Sequence, residues 1–112
     1  MLIYKIFRGP EWKVLQGSGR TVGAPIDVED GYIHFSTAAQ ATETAAKWFD
    51  QVQGLWLVAF DADAMGEDLK WEPSRGGDLF PHLYRPLMLD EVVWAKPLPY
   101  DAGQHRFPTA MV

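Results

Sequence analysis

The sequence predicts an α+β fold, with a mixed or antiparallel sheet of about six strands, one long helix and one short helix. Short runs rich in β-branched and aromatic residues are separated by Gly, Pro and Asp, and only one long stretch repeats its apolar residues every three or four positions. The 112 residues are 47% hydrophobic and 13% aromatic and include no Cys. Large side chains can therefore fill a core without disulfides, and we expect residues 1–112 to form a single domain.

The N-terminal segment predicts a strand, a short helix and a long loop. Leu2–Phe7 is rich in β-forming residues, and Pro10 suits the first turn of a helix that carries Trp12 and Leu15. Residues 17–29 are rich in Gly, Pro and Asp, which predicts a loop. Because a loop of this length in a small domain is more often functional than idle, it could form a lid.

A turn, a strand and the long helix follow. The Asp-Gly pair at 30–31 favours a two-residue turn that leads into a strand over residues 32–36, and residues 37–53 have the periodicity of a helix. Thr37 and Gln40 have the spacing of a capping box, which predicts a helix start at Thr37. The apolar residues of this helix that we expect in the core are Ala38, Ala41, Ala45, Trp48, Phe49 and Val52.

The C-terminal half predicts the remaining strands. Residues 55–60 form a continuous apolar run of strand length, which indicates a central strand covered on both faces. Residues 69–72, 80–84 and 91–96 are further strand candidates separated by turn-forming residues. About residues 98–112 are expected to form a loosely packed tail.

Charge and hydropathy limit the possible partners. Ten Lys and Arg against fifteen Asp and Glu give a net charge of −5, which disfavours binding to duplex DNA or RNA. The longest strongly apolar run is much shorter than the ~20 residues of a membrane span, and the N-terminus has no signal-peptide core. We therefore expect a cytoplasmic protein with no membrane partner and leave its oligomeric state open.

Two predicted strands each place a histidine on a face that points away from the core. Side chains alternate along a strand, so residues 32–36 and residues 80–84 each set an imidazole between an aromatic side chain and a hydroxyl-bearing one. If the two strands are neighbours, these faces line one cleft. The side chains that this alternation brings together are Tyr32, His34, Ser36, Phe80, His82 and Tyr84.

The surroundings of His34 indicate an anionic ligand. His34 lies just before the predicted helix start at Thr37, where free backbone N–H groups favour phosphate. Arg75 and Arg85 add positive charge near the second histidine, although solvated arginines and a Thr37 that serves only as a cap are the plainer interpretations. The three histidines and scattered carboxylates lack the spacing of metal ligands, so no metal site is expected.

Three motifs carry a family resemblance. They are DGYIHFSTAAQ at residues 30–40, WEP at 71–73 and FPHLY at 80–84. Together they resemble the bacterial domain-of-unknown-function family numbered 952, and the resemblance covers nearly the whole chain apart from the tail. It implies a fold similar to that of ADP-ribosyltransferases and RNA 2′-phosphotransferases.

The resemblance also implies roles for particular residues. By similarity to that superfamily, His34 would hydrogen-bond a ribose hydroxyl of NAD. Tyr84 would stack beside the nicotinamide, and His82 would contact the ribose or phosphates. The superfamily's transferases often carry a glutamate on a third strand, for which Glu72 and Glu91 are both open. With His34, His82 and Tyr84 as candidate catalytic residues, the expected ligand-binding residues are Tyr32, Ser36, Thr37, Arg75 and Phe80.

Three hypotheses about function follow. The first is a protein that binds NAD, ADP-ribose or a related small anionic nucleotide, with or without ADP-ribosyl or phosphate transfer. The second is an acid-base phosphodiesterase that uses His34 and His82 as a pair, since neutral and protonated imidazole coexist near neutral pH. The third is a non-catalytic ligand-binding module. The sequence does not decide whether turnover occurs.

Overall fold

The structure, a computed structural model, describes residues 1–109 and 111. In this part of the chain the fold combines three α-helices with short and long antiparallel strands. The helices are α1 (Gly9–Ser18), α2 (Pro25–Asp30) and α3 (Ala38–Trp48). The strands are β1 (Leu2–Phe7), β2 (Arg20–Thr21), β3 (Ile33–His34), β4 (Leu55–Asp61), β5 (Leu69–Pro73), β6 (Leu79–Leu83), β7 (Leu87–Met88), β8 (Val92–Leu98), β9 (Tyr100–Asp101) and β10 (Gln104–His105). Single 3-10 turns cover Ala62–Ala64, Gly66–Asp68, Arg75–Gly77 and Leu89–Glu91.

The strands divide between two three-stranded sheets and two short ladders. One sheet has the order β1-β4-β8 and the other the order β3-β6-β5, while β2 pairs with β7 and β9 with β10. Every ladder is antiparallel. The α+β class is confirmed, but the single sheet of about six strands was wrong. A backbone bridge between Tyr4 and Ser36 joins the two three-stranded sheets.

The core lies on both faces of β4, as the apolar run at residues 55–60 predicts. Val58 and Phe60 pack toward α1 in a cluster with Trp12 and Leu15. Leu57 and its neighbours on the opposite face pack toward α3. Because β4 is central in its sheet and covered on both sides, it has no polar face. Its sequence therefore does not alternate between apolar and polar residues.

The capping box of α3 is confirmed, but the helix is shorter than predicted. The Gln40 backbone N–H donates to Thr37 Oγ1 at 3.3 Å, and the Thr37 N–H donates to Gln40 Oε1 at 3.0 Å. The helix ends at Trp48 rather than near residue 53, and the Trp48 side chain, expected in the core, is 60% exposed. The buried positions of the helix are Ala41 and Ala45, and at its last turn this face meets a cleft instead of the sheet.

The predicted loop at residues 17–29 was wrong, because it contains β2 and most of α2. Pro25 lies in the first turn of α2, and Gly31 ends the helix with a φ of 86° that a residue with a Cβ rarely adopts. The Asp-Gly pair is therefore a helix end and not a hairpin turn. A helix of six residues is too short for the apolar period to reveal it.

Residues 98–109 and 111 contribute short strands and core contacts. Leu98 is buried at the end of β8, β9 and β10 form a ladder, and Phe107 and Met111 pack against the cluster between β1 and α3. Within residues 1–109 and 111, none of the helices combines the length and apolar character that crossing a membrane requires.

Candidate functional site

The two motif histidines lie directly opposite each other in the sheet. β3 and β6 are neighbours, His34 pairs in register with His82, and their ring centroids are 5.4 Å apart. Ile33 and Leu83, the next pair along, are both buried in the core. The alternation that the sequence predicts therefore brings both imidazoles to the same side of the sheet, away from the core.

A buried carboxylate from α2 holds the first histidine. Asp27 is 1% exposed, and its Oδ1 accepts hydrogen bonds from His34 Nδ1 at 2.6 Å and from the His34 backbone N–H at 3.0 Å. Its Oδ2 accepts from the Ala24 N–H at 2.7 Å and lies 2.9 Å from Lys5 Nζ. Burial opposes ionisation, but the hydrogen bonds from His34 and the charge of Lys5 outweigh it and lower the pKa of Asp27 to about 2.

Lys5 completes this first group, which we call the Asp27 cluster: Lys5, Asp27 and His34. The lysine is 7% exposed and also donates to the backbone carbonyl of His34 at 3.1 Å, so it ties β1 to β3. Since Asp27 accepts at Nδ1, the Nε2 atom of His34 is the ring nitrogen left for other partners. That atom lies 3.0 Å from the Asp30 carboxylate, and the His34 side chain is 34% exposed.

A second group, the Glu72 cluster, consists of Glu72, His82 and Tyr84. Glu72 Oε1 accepts from His82 Nδ1 at 2.7 Å and from the Tyr84 hydroxyl at 2.6 Å. These bonds, the one from Tyr84 first, lower the pKa of Glu72, and the same carboxylate raises the pKa of Tyr84 to about 12. His82 is buried, whereas Tyr84 is exposed.

Tyr32 lies between the two clusters. Its ring stacks on His82 at 4.1 Å between centroids and lies 4.7 Å from His34 and 5.2 Å from Tyr84. Partial burial, and then the nearby charges of Asp30 and Glu72, raise its pKa. The Tyr32 ring packed against the His82 imidazole helps to explain why His82 is only 3% exposed.

A cleft of about 540 Å³ opens beside these groups. Residues of α2, α3, β1 and β3 line it. Among the predicted site residues, the cleft is lined by Tyr32, His34, Ser36, Phe80 and His82. The other lining residues were not predicted as site residues, and they include Lys5, Arg8, Asp27 and Trp48.

The predicted hydroxyl groups already have partners within the protein. Ser36 Oγ lies 2.9 Å from Thr44 Oγ1, and Ser36 is 6% exposed. Thr37 caps α3 and does not line the cleft. Thr37 Oγ1 accepts from the Gln40 N–H, and the anion site at the helix start stays a prediction.

Of the two predicted arginines, the structure describes the side chain of Arg85. Arg85 donates to Glu91 at 2.6 and 3.0 Å and also to the carbonyl oxygens of Met65 and Pro86, so it is held outside the cleft. The side chain of Arg75 lies outside the described residues. Among the described side chains, the basic residues that line the cleft are Lys5 on β1 and Arg8, which directly follows β1.

Glu72 and Glu91 are now distinguished by their surroundings. Glu72 is on the edge strand β5 of the sheet that carries both histidines, whereas Glu91 pairs with Arg85. Glu72 contacts the motif residues but does not line the cleft. Within the described part of the chain, no group of three or more His, Asp or Glu side chains is arranged to hold a metal ion.

Comparison with known proteins identifies the family. The model of the family described as "Protein of unknown function (DUF952)" matches residues 6–95. The crystal structure of protein CC0527 from Caulobacter crescentus is 50% identical, covers 95% of this chain and 94% of that chain, and has a TM-score of 0.91. The solution NMR structure of CC0527 is 51% identical, with coverage of 93% and 90% and a TM-score of 0.84. No curated protein matches the chain. The chain therefore belongs to the DUF952 family.

Proposed function

We propose that the protein binds a ribose-containing nucleotide, NAD or ADP-ribose, in the cleft, with His34 at a ribose. The observation that carries this proposal is the pair formed by His34 Nε2 and the Asp30 carboxylate, 3.0 Å apart on the cleft wall. An imidazole nitrogen beside a carboxylate matches two neighbouring hydroxyl groups, because the carboxylate accepts from one hydroxyl and the imidazole bonds the other. The resemblance to ADP-ribosyltransferases gives His34 the same role.

The size and charge of the cleft support a nucleotide. A volume of about 540 Å³ lies within the range of sites for small molecules and cofactors. Arg8, which lines the cleft, supplies positive charge for a diphosphate in a chain of net charge −5. The Asp27 cluster holds the His34 ring in one orientation, so little ordering of that side chain remains to oppose binding.

Group transfer would add to this binding role. A transferase needs a carboxylate near the glycosidic carbon, and Glu72 is the glutamate that contacts His82. The contacts of Glu72 are directed to His82 and Tyr84, and it is not on the cleft wall. The geometry therefore supports ligand binding more strongly than turnover. We propose ADP-ribosyl or phosphate transfer as an addition to the binding role.

The test is a binding panel on the wild type and two histidine variants. NAD or ADP-ribose at a hundred times its Kd should stabilise the protein by about 2.7 kcal/mol, a rise in Tm of about 10 °C. His34→Ala should weaken binding about 10-fold or more, since it removes a hydrogen bond to the sugar. His105→Ala, on β10 and not on the cleft wall, is the matched control and should bind normally. No stabilisation by either ligand, or equal stabilisation of His34→Ala, would refute the proposal.

A two-histidine phosphodiesterase is the second candidate. It is favoured by the carboxylate that each imidazole contacts through Nδ1. Such an enzyme should hydrolyse a phosphodiester with a bell-shaped pH profile and lose similar activity in His34→Ala and His82→Ala. The burial of His82 beside Tyr32 makes this the weaker candidate, and activity retained in His82→Ala would exclude it.

A further inference from the structure

We infer that Trp48 forms a subsite for the flat base of the nucleotide, on the α3 wall of the same cleft. This inference rests on the proposed function and adds the residue that recognises the adenine base of NAD or ADP-ribose. Trp48 lines the cleft and is 60% exposed. Among the described residues, it is the most exposed of the large aromatic side chains.

The fold does not need the Trp48 ring as core. Ala41 and Ala45 make the buried face of α3, and the indole lies beyond them at the last turn. An exposed indole on a concave surface offers a large apolar face that gains free energy when another flat group covers it. Ligand sites commonly combine such a face with a few polar anchors, and His34 is the polar anchor of this cleft.

Positive charge lies next to this aromatic wall. Lys47 Nζ is 5.5 Å from the Trp48 ring centroid, and the Arg8 guanidinium is 4.8 Å from the ring of the neighbouring Phe49. Arg8 also contacts Glu11 at 3.9 Å, but both side chains are partly exposed, so this contact is weak. A base joined to phosphates presents a flat ring followed by negative charge, which matches an aromatic ring beside two cations.

The acidic groups of the cleft do not cancel this match. Asp27 is buried and paired with Lys5, and Asp30 lies at His34, where the ribose is proposed. Stacking of a base on an aromatic side chain contributes about 10-fold to 100-fold in affinity. A purine covers more of an indole than a pyrimidine does, so we assign the subsite to a purine.

The test compares a ligand that has a base with one that lacks it. Wild type should bind ADP-ribose about 10-fold to 100-fold more tightly than ribose 5-phosphate, by calorimetry. Trp48→Ala should reduce this difference by weakening ADP-ribose alone, and Trp48→Phe should restore most of the lost affinity. Trp71→Ala is the matched control, because Trp71 is also an exposed tryptophan but does not line the cleft. His34→Ala should weaken both ligands.

The outcomes separate the inference from the proposed function. If wild type binds neither ligand, the proposed function fails and the subsite fails with it. If both ligands bind and His34→Ala weakens both, but Trp48→Ala changes neither or changes both equally, the subsite is wrong and the proposed function stands. If Trp48→Ala leaves ADP-ribose unchanged and converts a dimer to a monomer in sedimentation, Trp48 is a contact between copies of the chain, and the inference is overturned.

Discussion

The two histidine and carboxylate pairs of the site have opposite burial. In the Asp27 cluster the carboxylate is 1% exposed and the His34 side chain is 34% exposed. In the Glu72 cluster the His82 side chain is 4% exposed and the carboxylate side chain is 36% exposed. Although the imidazoles pair in register on neighbouring strands, only His34 is substantially open to the solvent.

This inversion assigns different work to the two histidines. A buried carboxylate with a lysine counter-charge is a fixed anchor, and the far nitrogen of His34 lies at the cleft beside the Asp30 carboxylate. His82 is enclosed next to Tyr32 and bound to an exposed carboxylate, so it supports the neighbouring rings. Symmetry in the sequence motifs therefore does not imply symmetry of function.

The largest expected difference between the Asp27 cluster and the Glu72 cluster appears when each carboxylate is changed to its amide. Asp27→Asn should lower the free energy of unfolding by about 3–5 kcal/mol, because it leaves Lys5 buried without its counter-charge. Glu72→Gln should be far milder, since that side chain reaches solvent. Urea unfolding of both variants measures the difference. Equal losses would mean that the two carboxylates are equivalent.

The contribution of Asp27 to the free energy of unfolding should also depend on pH. The pKa of Asp27 is about 2 in the fold against an ordinary value of 3.8, so its contribution is fully present above pH 4 and is lost as pH falls toward 2. The expected loss is about 2 kcal/mol for a shift of this size. Chemical denaturation at a series of pH values should show it in wild type, and a curve for Asp27→Asn with the same slope in this window would contradict the assignment.

Removing the Tyr32 ring, which lies between the two clusters, should make the reactivities of His34 and His82 more alike. In wild type an acylating reagent for imidazole should modify His34 quickly and His82 slowly, because His82 is buried. Tyr32→Ala should raise the rate at His82 toward that at His34, since the stacked ring is gone. Mass spectrometry of the modified peptides gives both rates. A His82 that stays protected would show that other neighbours bury it.

The smallest expected effect is a change in the pKa of Tyr84. Its pKa is about 12 because it donates to Glu72, so Glu72→Gln should return the pKa toward the ordinary value of 10. Ultraviolet absorption across this pH range follows the ionisation, and Tyr84→Phe identifies its share of the signal. An unchanged titration in Glu72→Gln would remove Glu72 as the cause.

The parts of the site that the sequence predicts come from local rules. Alternation along a strand predicts which face carries His34 and His82, and the capping box predicts the helix start at Thr37. These rules act between residues close in sequence. The elements they concern, β3, β6 and α3, are also those whose existence and order the structure confirms.

Asp27 escaped prediction because α2 is a short helix in a Gly- and Pro-rich segment that resembles a loop. Lys5 offered one signal, a single charge inside an otherwise apolar strand, and such a charge needs a buried partner. Trp48 followed the apolar period of its helix and so was expected in the core. The period reports which face a residue is on, and it does not report whether that face meets the sheet or a cleft.

Strand alternation, the helix cap and the apolar run of β4 are patterns among residues that are close in the chain. The sequence alone therefore predicted the α+β class and the face of the sheet that carries both histidines. The partner of each histidine, the exposure of Trp48 and the shape of the cleft were decided by tertiary structure. Lys5 reaches the His34 carbonyl across 29 positions of the chain, and the energy of a buried charge depends on which groups surround it in space.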